Sequence, residues 1–232
     1  MRWRALAEVR ALVIDFGGVL TTSLGDAFRA FCEREGADYD KVRAALKRAY
    51  GDMDADSMVA RFEKGLVEKD EFEVHLAGLL SEGLRRPLDP SDLIARMLED
   101  VRIDERMVAA VRAARVAGIR TALLSNSWGL EYYPRELLEE LFEEIVISGE
   151  VAMRKPDPDA YLHTAERLGL RPEQCVFVDD HDDNIEAARR VGMRAVHHRQ
   201  TPETIGEMER ALGVDLQVPA SADPGTVEPE ER

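Results

Sequence analysis

Asp15 closes a short apolar run, Ala11-Leu12-Val13-Ile14, and Gly17 and Gly18 follow it almost at once. A carboxylate in such a place can attack an electrophile or ligate a metal ion. Glycine permits a tight turn and lets backbone come close to a ligand. Three more polar clusters stand in comparable places. Ser125-Asn126 follows residues 120–124, which end in Ala-Leu-Leu, Arg154-Lys155-Pro156 lies in a later loop, and Asp179-Asp180 follows 175–178. Taken singly, Ser and Asn are ordinary turn formers, and Lys155 before a proline reads as a solvated lysine. The acid pair is harder to dismiss. Adjacent carboxylates repel, and each prefers to be neutral unless a cation is present. Mg²⁺ is a hard cation that favours such oxygens and keeps several waters. Three carboxylates and one lysine on one edge form an electrostatic box in which the lysine can hold an anion.

A common edge follows from the elements that carry these residues. Residues 11–14 are too short a run for a lone helix and read as a buried strand. From Met107 onward the pattern alternates. Helices are predicted over 107–117, 137–142, 159–168, 184–191 and 204–212, and strands over 120–124, 144–147, 175–178 and 194–197. Such alternation predicts an α/β fold with a doubly wound parallel sheet, Rossmann-type. Right-handed crossovers put the strand ends on one edge, where ligands bind in open parallel sheets.

Between the first strand and this core, the sequence has helical spacing and no strand pattern. Ala27, Phe28, Phe31 and Cys32 begin it, and further helices are predicted over 41–50, 58–64, from 68 through Leu80, and over 92–98. The expected organisation is a core of residues 1–20 and 100–213, a small α-helical cap of 21–99, and a disordered acidic tail of 214–232. A cap over a sheet edge closes the site and sets substrate choice. Phe28, Phe31, Phe62, Arg29 and Arg61 are its candidate lining.

Composition narrows the partners. The 232 residues carry 46 acids against 31 bases, a net charge of −15. An acidic surface repels phosphate backbones, so no nucleic-acid partner is expected. Cys32 and Cys175 form neither a disulfide framework nor a zinc pattern and read as small buried residues. No apolar run reaches the ~18–20 residues of a membrane span, and no apolar segment follows the basic start. The expectation is a cytoplasmic protein without a membrane partner, a monomer or homodimer.

The order Asp15, Ser125, Lys155, Asp179-Asp180 resembles the four motifs of the haloacid dehalogenase superfamily. The first is the hydrophobic strand ending in Asp-x-x-Gly-Val-Leu. The second is the strand ending in Ser-Asn, and the third is Lys155-Pro156-Asp157-Pro158. The fourth is Val178-Asp179-Asp180, with Asn184, Ala187-Ala188 and Gly192-Met193 behind it. The helical insert is similar to the cap of the subgroup that holds many small-molecule phosphatases, dehalogenases and the amino-terminal domain of soluble epoxide hydrolases. The resemblance implies a Mg²⁺-dependent phosphatase of a small phosphorylated metabolite. Asp15 would be the nucleophile that forms an aspartyl-phosphate. Asp15, the Gly17 carbonyl and Asp180 would hold Mg²⁺, with Asp179 beside or behind them. Ser125 would hydrogen-bond a phosphoryl oxygen, Asn126 would position the group through its amide, and Lys155 would balance charge.

Position 17 departs from the family pattern. Most family phosphatases have there a second Asp that acts as general acid/base, and Gly17 has no proton to give. The departure leaves three options open: a substrate with a good leaving group, a substitute acid such as His181 or Asp26, or a chain that binds more than it catalyses. Dehalogenases of the superfamily also lack this Asp, so carbon–halogen hydrolysis by Asp15 is an alternative. They do not need magnesium, however, and this chain keeps an acid pair suited to it.

Overall fold

In a computed structural model, residues 8–51, 57–81 and 87–216 are described. Five strands, β1 (Ala11–Ile14), β2 (Arg120–Ser125), β3 (Glu144–Ile147), β4 (Cys175–Asp179) and β5 (Arg194–His197), form one sheet in the order β3-β2-β1-β4-β5. Every pairing is parallel, with Ile14 opposite both Leu123 and Val178. β1 is central and wholly buried, as its unbroken apolar run requires. The strand order reverses direction at β1, so the carboxyl ends of β1, β2 and β4 meet at the switch point where open α/β sheets bind ligands.

Helices α6 (Glu105–Val116), α7 (Arg135–Leu141), α9 (Pro158–Arg167), α10 (Asp182–Arg190) and α11 (Thr201–Leu212) accompany the strands. Two apolar clusters flank the sheet. Leu12, Ile14 and Leu123 pack with α6 and α11 on one face, and Val13, Leu124 and Phe177 with α9 and α10 on the other. Helix α11 begins three residues before the sequence pattern predicts, because Pro202 suits a first helical turn. A short helix α8 (Ser148–Val151) occupies what reads as a plain loop after β3.

The insert folds into α1 (Leu24–Glu35), α2 (Tyr39–Gly51), α3 (Met58–Glu63), α4 (Lys69–Ser81) and α5 (Leu93–Leu98). These bury their own apolar cluster, centred on Phe31, Phe72, Leu76 and Ile94. Burying a side chain of this size contributes about 1.5–3 kcal/mol, so the insert has a core separate from the sheet's. Phe31 and Phe62 belong to that core, with the Phe62 and Phe72 rings stacked at 3.9 Å. Arg29 lies over the Tyr39 ring and Arg61 is exposed. Of the candidate lining residues, only Phe28 borders the cavity described below. Both cysteines are buried thiols.

The packed chain continues past residue 213. The Leu216 side chain is buried and its N–H donates to Glu209 Oε1. The remainder of the expected tail, 217–232, lies outside the described residues. No helix among the described residues is long and apolar enough to cross a membrane.

Candidate active site

The Asp15 N–H donates to the Val178 carbonyl at 3.0 Å, so the sheet ladder ends at the acid itself. The chain then turns, with the Leu20 N–H bonded to the Phe16 carbonyl and the Gly18 N–H to Thr21 Oγ1. This turn holds one oxygen of Asp15. Oδ1 accepts from the Phe16 N–H at 2.7 Å and from Lys155 Nζ at 2.7 Å. No described group donates to Oδ2. Gly18 has φ +76°, and a Cβ there would sit 2.5 Å from Asp180 Oδ2. A bare backbone at 18 is what lets the Asp180 carboxylate lie against the loop.

Lys155, itself 1% exposed, joins two strands' ends. Its ammonium lies 2.7 Å from Asp15 and 2.6 Å from Asp179 Oδ2. Asp179 is wholly buried, and its oxygens also accept from the Asn184 amide and the His181 N–H. Asn126 fixes the other side of the lysine. Its Oδ1 accepts from the Lys155 N–H at 2.8 Å and its Nδ2 donates to the Lys155 carbonyl at 2.9 Å. The third bond of that amide runs to Glu63 Oε2 in α3, at 3.1 Å. Asn126 therefore shapes the lysine loop, and its side chain spends its hydrogen bonds on protein, where the sequence suggests a contact with substrate.

Charge here is tightly constrained. Burial and the neighbouring Asp179 and Asp180 raise the Asp15 carboxyl to about 7 against the pull of Lys155. Burial disfavours the Lys155 charge, yet Asp15 and Asp179 hold its pKa above the ordinary lysine range. Asp180 keeps an open side, and the protein around it together with Asp179 raises its carboxyl. Oxygens of Asp15, Asp179 and Asp180 lie within 4.8 Å of one another. Three acids so close, two of them buried, suit a hard divalent cation that takes carboxylate oxygens. With the Asp179 oxygens already engaged, Asp15 Oδ2 and Asp180 are the carboxylates left open. None of the described hydrogen bonds uses the Gly17 carbonyl.

Ser125 ends β2 and is buried, with Oγ 2.9 Å from the Tyr133 hydroxyl. Tyr133 also donates to the Asn126 carbonyl and packs its ring 4.9 Å from that of Phe16. Sequence reasoning overlooks Tyr133, although an aromatic eight residues past a Ser-Asn turn was available to notice. It also overlooks Glu63, which is 1% exposed, pairs with Arg154 at 2.6 Å and accepts from Ser148 through its own carbonyl. A glutamate in a helical insert has no local signal for such a role. Neither substitute acid lines the cavity beside Gly17. Asp26 is exposed in the first turn of α1, and His181 is exposed beside Asp183. A cavity of about 360 Å³ opens beside Gly17, Ser125 and Asn126, between α1 and the loop after β2.

Residues 9–192 match the family described as haloacid dehalogenase-like hydrolases. The chain is 28% identical to bifunctional epoxide hydrolase 2 of Sus scrofa over 94% of its own length and 42% of that protein. It thus spans less than half of that relative. It is 38% identical to the fructose-1-phosphate phosphatase YqaB of Escherichia coli over 40% of this chain and 45% of that one. A solved enzyme of the same superfamily from Bacteroides thetaiotaomicron, bound to magnesium and inorganic phosphate, aligns with a TM-score of 0.56 at 20% identity. That alignment covers 82% of this chain and 94% of that one, and it shows a common fold. With a match across most of its length and a parallel sheet whose ends gather the motif residues, the chain belongs to the haloacid dehalogenase-like hydrolases.

Proposed function

We propose that this hydrolase is a Mg²⁺-dependent phosphatase acting on a small phosphorylated metabolite through Asp15. The observation that carries the reading is the Lys155 ammonium shared between Asp15 and Asp179 at 2.7 and 2.6 Å. It places fixed positive charge beside a carboxylate with one open oxygen. Asp15, Asp180 and the Gly17 carbonyl would hold the ion, with Asp179 beside or behind them. When bound, magnesium offsets the carboxylate charge and stabilises charge on the transferring phosphoryl group.

Asp15 attacks phosphorus. The new bond is Asp15 Oδ to phosphorus, the bond that breaks joins phosphorus to the ester oxygen, and the alcohol leaves with a proton from solvent. Water then attacks the aspartyl-phosphate, releasing phosphate and restoring the carboxylate. Ser125 turns its hydroxyl proton from Tyr133 to a phosphoryl oxygen. Lys155 steadies the charge that develops, and the preset geometry lowers the reorganisation needed at the moment of reaction. The phosphatase activity named for the Escherichia coli relative supports the same reaction class.

The test is phosphate release from p-nitrophenyl phosphate by pure protein, with and without Mg²⁺. Release that needs the ion and disappears in Asp15→Asn supports the reading. Absence of turnover across a broad panel of phosphate esters overturns it, and halide release from a 2-haloacid without metal puts dehalogenation in its place.

A further inference from the structure

The cavity beside the catalytic group presents mainly apolar surface. Phe16, Leu24, Phe28, Leu98, Ile103 and Trp128 are its large apolar lining side chains. Phe28 and Trp128 face one another with ring centroids 6.0 Å apart. Its volume, about 360 Å³, lies toward the lower end of small-molecule sites, which run to roughly 300–1,000 Å³.

Most of the polar side chains on the wall already have protein partners. Thr21 Oγ1 accepts from Gly18 and donates to the Thr22 carbonyl. Arg102 donates to the carbonyls of Glu99 and Val101. Ser125 and Tyr133 pair with each other, and Asn126 is held by Lys155 and Glu63. The Tyr132 hydroxyl, near the Lys69 ammonium, is buried with no hydrogen-bond partner among the described residues and is left open. A sugar entering this space would exchange hydrogen bonds with water for few new ones, and each unsatisfied hydroxyl costs about 1–3 kcal/mol. An apolar group gains roughly 25 cal/mol for each Å² removed from water. Gly17 fits the same picture, since the floor beside it is Leu24, 3.1 Å from where a Cβ would stand.

From this we infer that the substrate is a phosphate monoester of an apolar alcohol, aromatic or aliphatic, whose body fills the cavity between α1 and the loop after β2. The inference rests on the phosphatase reading and narrows it to a substrate class.

The experiment compares three esters that all expel a primary alcohol: benzyl phosphate, n-hexyl phosphate and glucose 6-phosphate. Leaving-group basicity is thereby held nearly constant. With Mg²⁺ and the full chain, kcat/KM for the two apolar esters is expected to exceed that for the sugar ester at least about tenfold, mainly through KM. Phe28→Asp should remove most of that advantage and Phe28→Leu should restore it. Equal or better turnover of glucose 6-phosphate overturns the substrate class and leaves the phosphatase reading standing. If no ester is cleaved, and acetyl phosphate is not cleaved either, the phosphatase reading itself fails. Titration calorimetry then decides the pocket. Benzylphosphonate binding at least about tenfold tighter than methylphosphonate, with a negative heat-capacity change, supports an apolar ligand, and equal affinities overturn it.

Discussion

Glu63 of α3 accepts a hydrogen bond of 3.1 Å from Asn126 of the loop after β2, 63 residues further along the chain. The same carboxylate oxygen pairs with Arg154 at 2.6 Å. The helical insert thus holds both sides of Lys155, through the residue before it and through the amide that bonds its backbone. Burial raises the Glu63 carboxyl and Arg154 opposes the rise. Removing one partner of a buried pair leaves the other charge uncompensated. Glu63→Ala should therefore lose about 3 kcal/mol in urea unfolding and raise KM more than it lowers kcat. Glu63→Gln, which keeps an acceptor for Asn126, should recover most of the KM. Equal KM in all three proteins would mean that the contact has no bearing on the site.

Lys155→Met tests the central cation. The substitution keeps similar volume and leaves Asp15 and Asp179 facing one another without their shared partner. At pH 8 the loss of stability should be about 3–5 kcal/mol. At pH 5.5 the deficit should shrink, because Asp15, raised to about 7 even with the lysine present, is then largely neutral and depends less on the cation. Urea midpoints at the two pH values give the comparison. A deficit that does not change with pH would show that the lysine's charge is not what these acids require.

Metal and pH are linked through the same group. In metal-free protein the folded Asp15 pKa of about 7 lies above its unfolded value. A raised carboxyl contributes stability that is complete below the unfolded pKa, near 4, and is lost as pH rises through about 7. Asp180 is shifted in the same direction. Bound Mg²⁺ favours the charged forms, so the rise in melting temperature on adding the ion should grow from pH 5.5 to pH 8. Asp15→Asn should flatten that growth. A shift independent of pH would separate the ion from these carboxylates.

At Gly18 the prediction is steric. A methyl group there meets Asp180 Oδ2 at 2.5 Å, and φ +76° is unfavourable for any side chain. Gly18→Ala should cost about 1–2 kcal/mol from the backbone alone. It should also weaken Mg²⁺ binding at least about tenfold, read by titration, because Asp180 is displaced from the loop. Unaltered affinity would place the ion away from Asp180.

These experiments address residues of two kinds. Asp15, Ser125, Asp179 and Asp180 were legible because strand ends in a parallel sheet share an edge, so a polar residue after an apolar run has a defined address; Lys155, in a loop before a proline, was legible only from its place in the order of motifs. The helical nature of the insert was legible from its spacing. Glu63 and Tyr133 were not, because their roles depend on contacts across the fold, with no repeat to mark them. Asn126 was legible as a site residue, but its bonds depend on where residues 63 and 155 come to rest. The short helix at 148–151 escaped because a four-residue turn has no period. Leu216 escaped because one apolar residue in a polar stretch carries little weight until it is seen in the core.

The last prediction concerns the missing acid. The candidate donors are poorly placed to replace it: Asp26 and His181 are exposed, and the Tyr133 hydroxyl is engaged by Ser125 and the Asn126 carbonyl. With no donor to protonate the departing oxygen, kcat/KM should fall steeply as the leaving group becomes more basic, more so than for an enzyme with an acid in place. Gly17 is not among the positive-φ glycines, so a side chain there needs no unusual backbone. Its Cβ would meet Leu24 Cδ1 at 3.1 Å, the movable end of a side chain. Gly17→Asp is therefore expected to fold and to raise kcat for n-hexyl phosphate by about 10²-fold, the lower end of what general acid catalysis supplies. It should change the rate on p-nitrophenyl phosphate far less, since that leaving group departs without a proton. The slope of log kcat/KM against leaving-group pKa, measured for both proteins, separates the cases. Parallel slopes would mean that the wild-type chain already has a donor, and that position 17 is not where the proton is supplied.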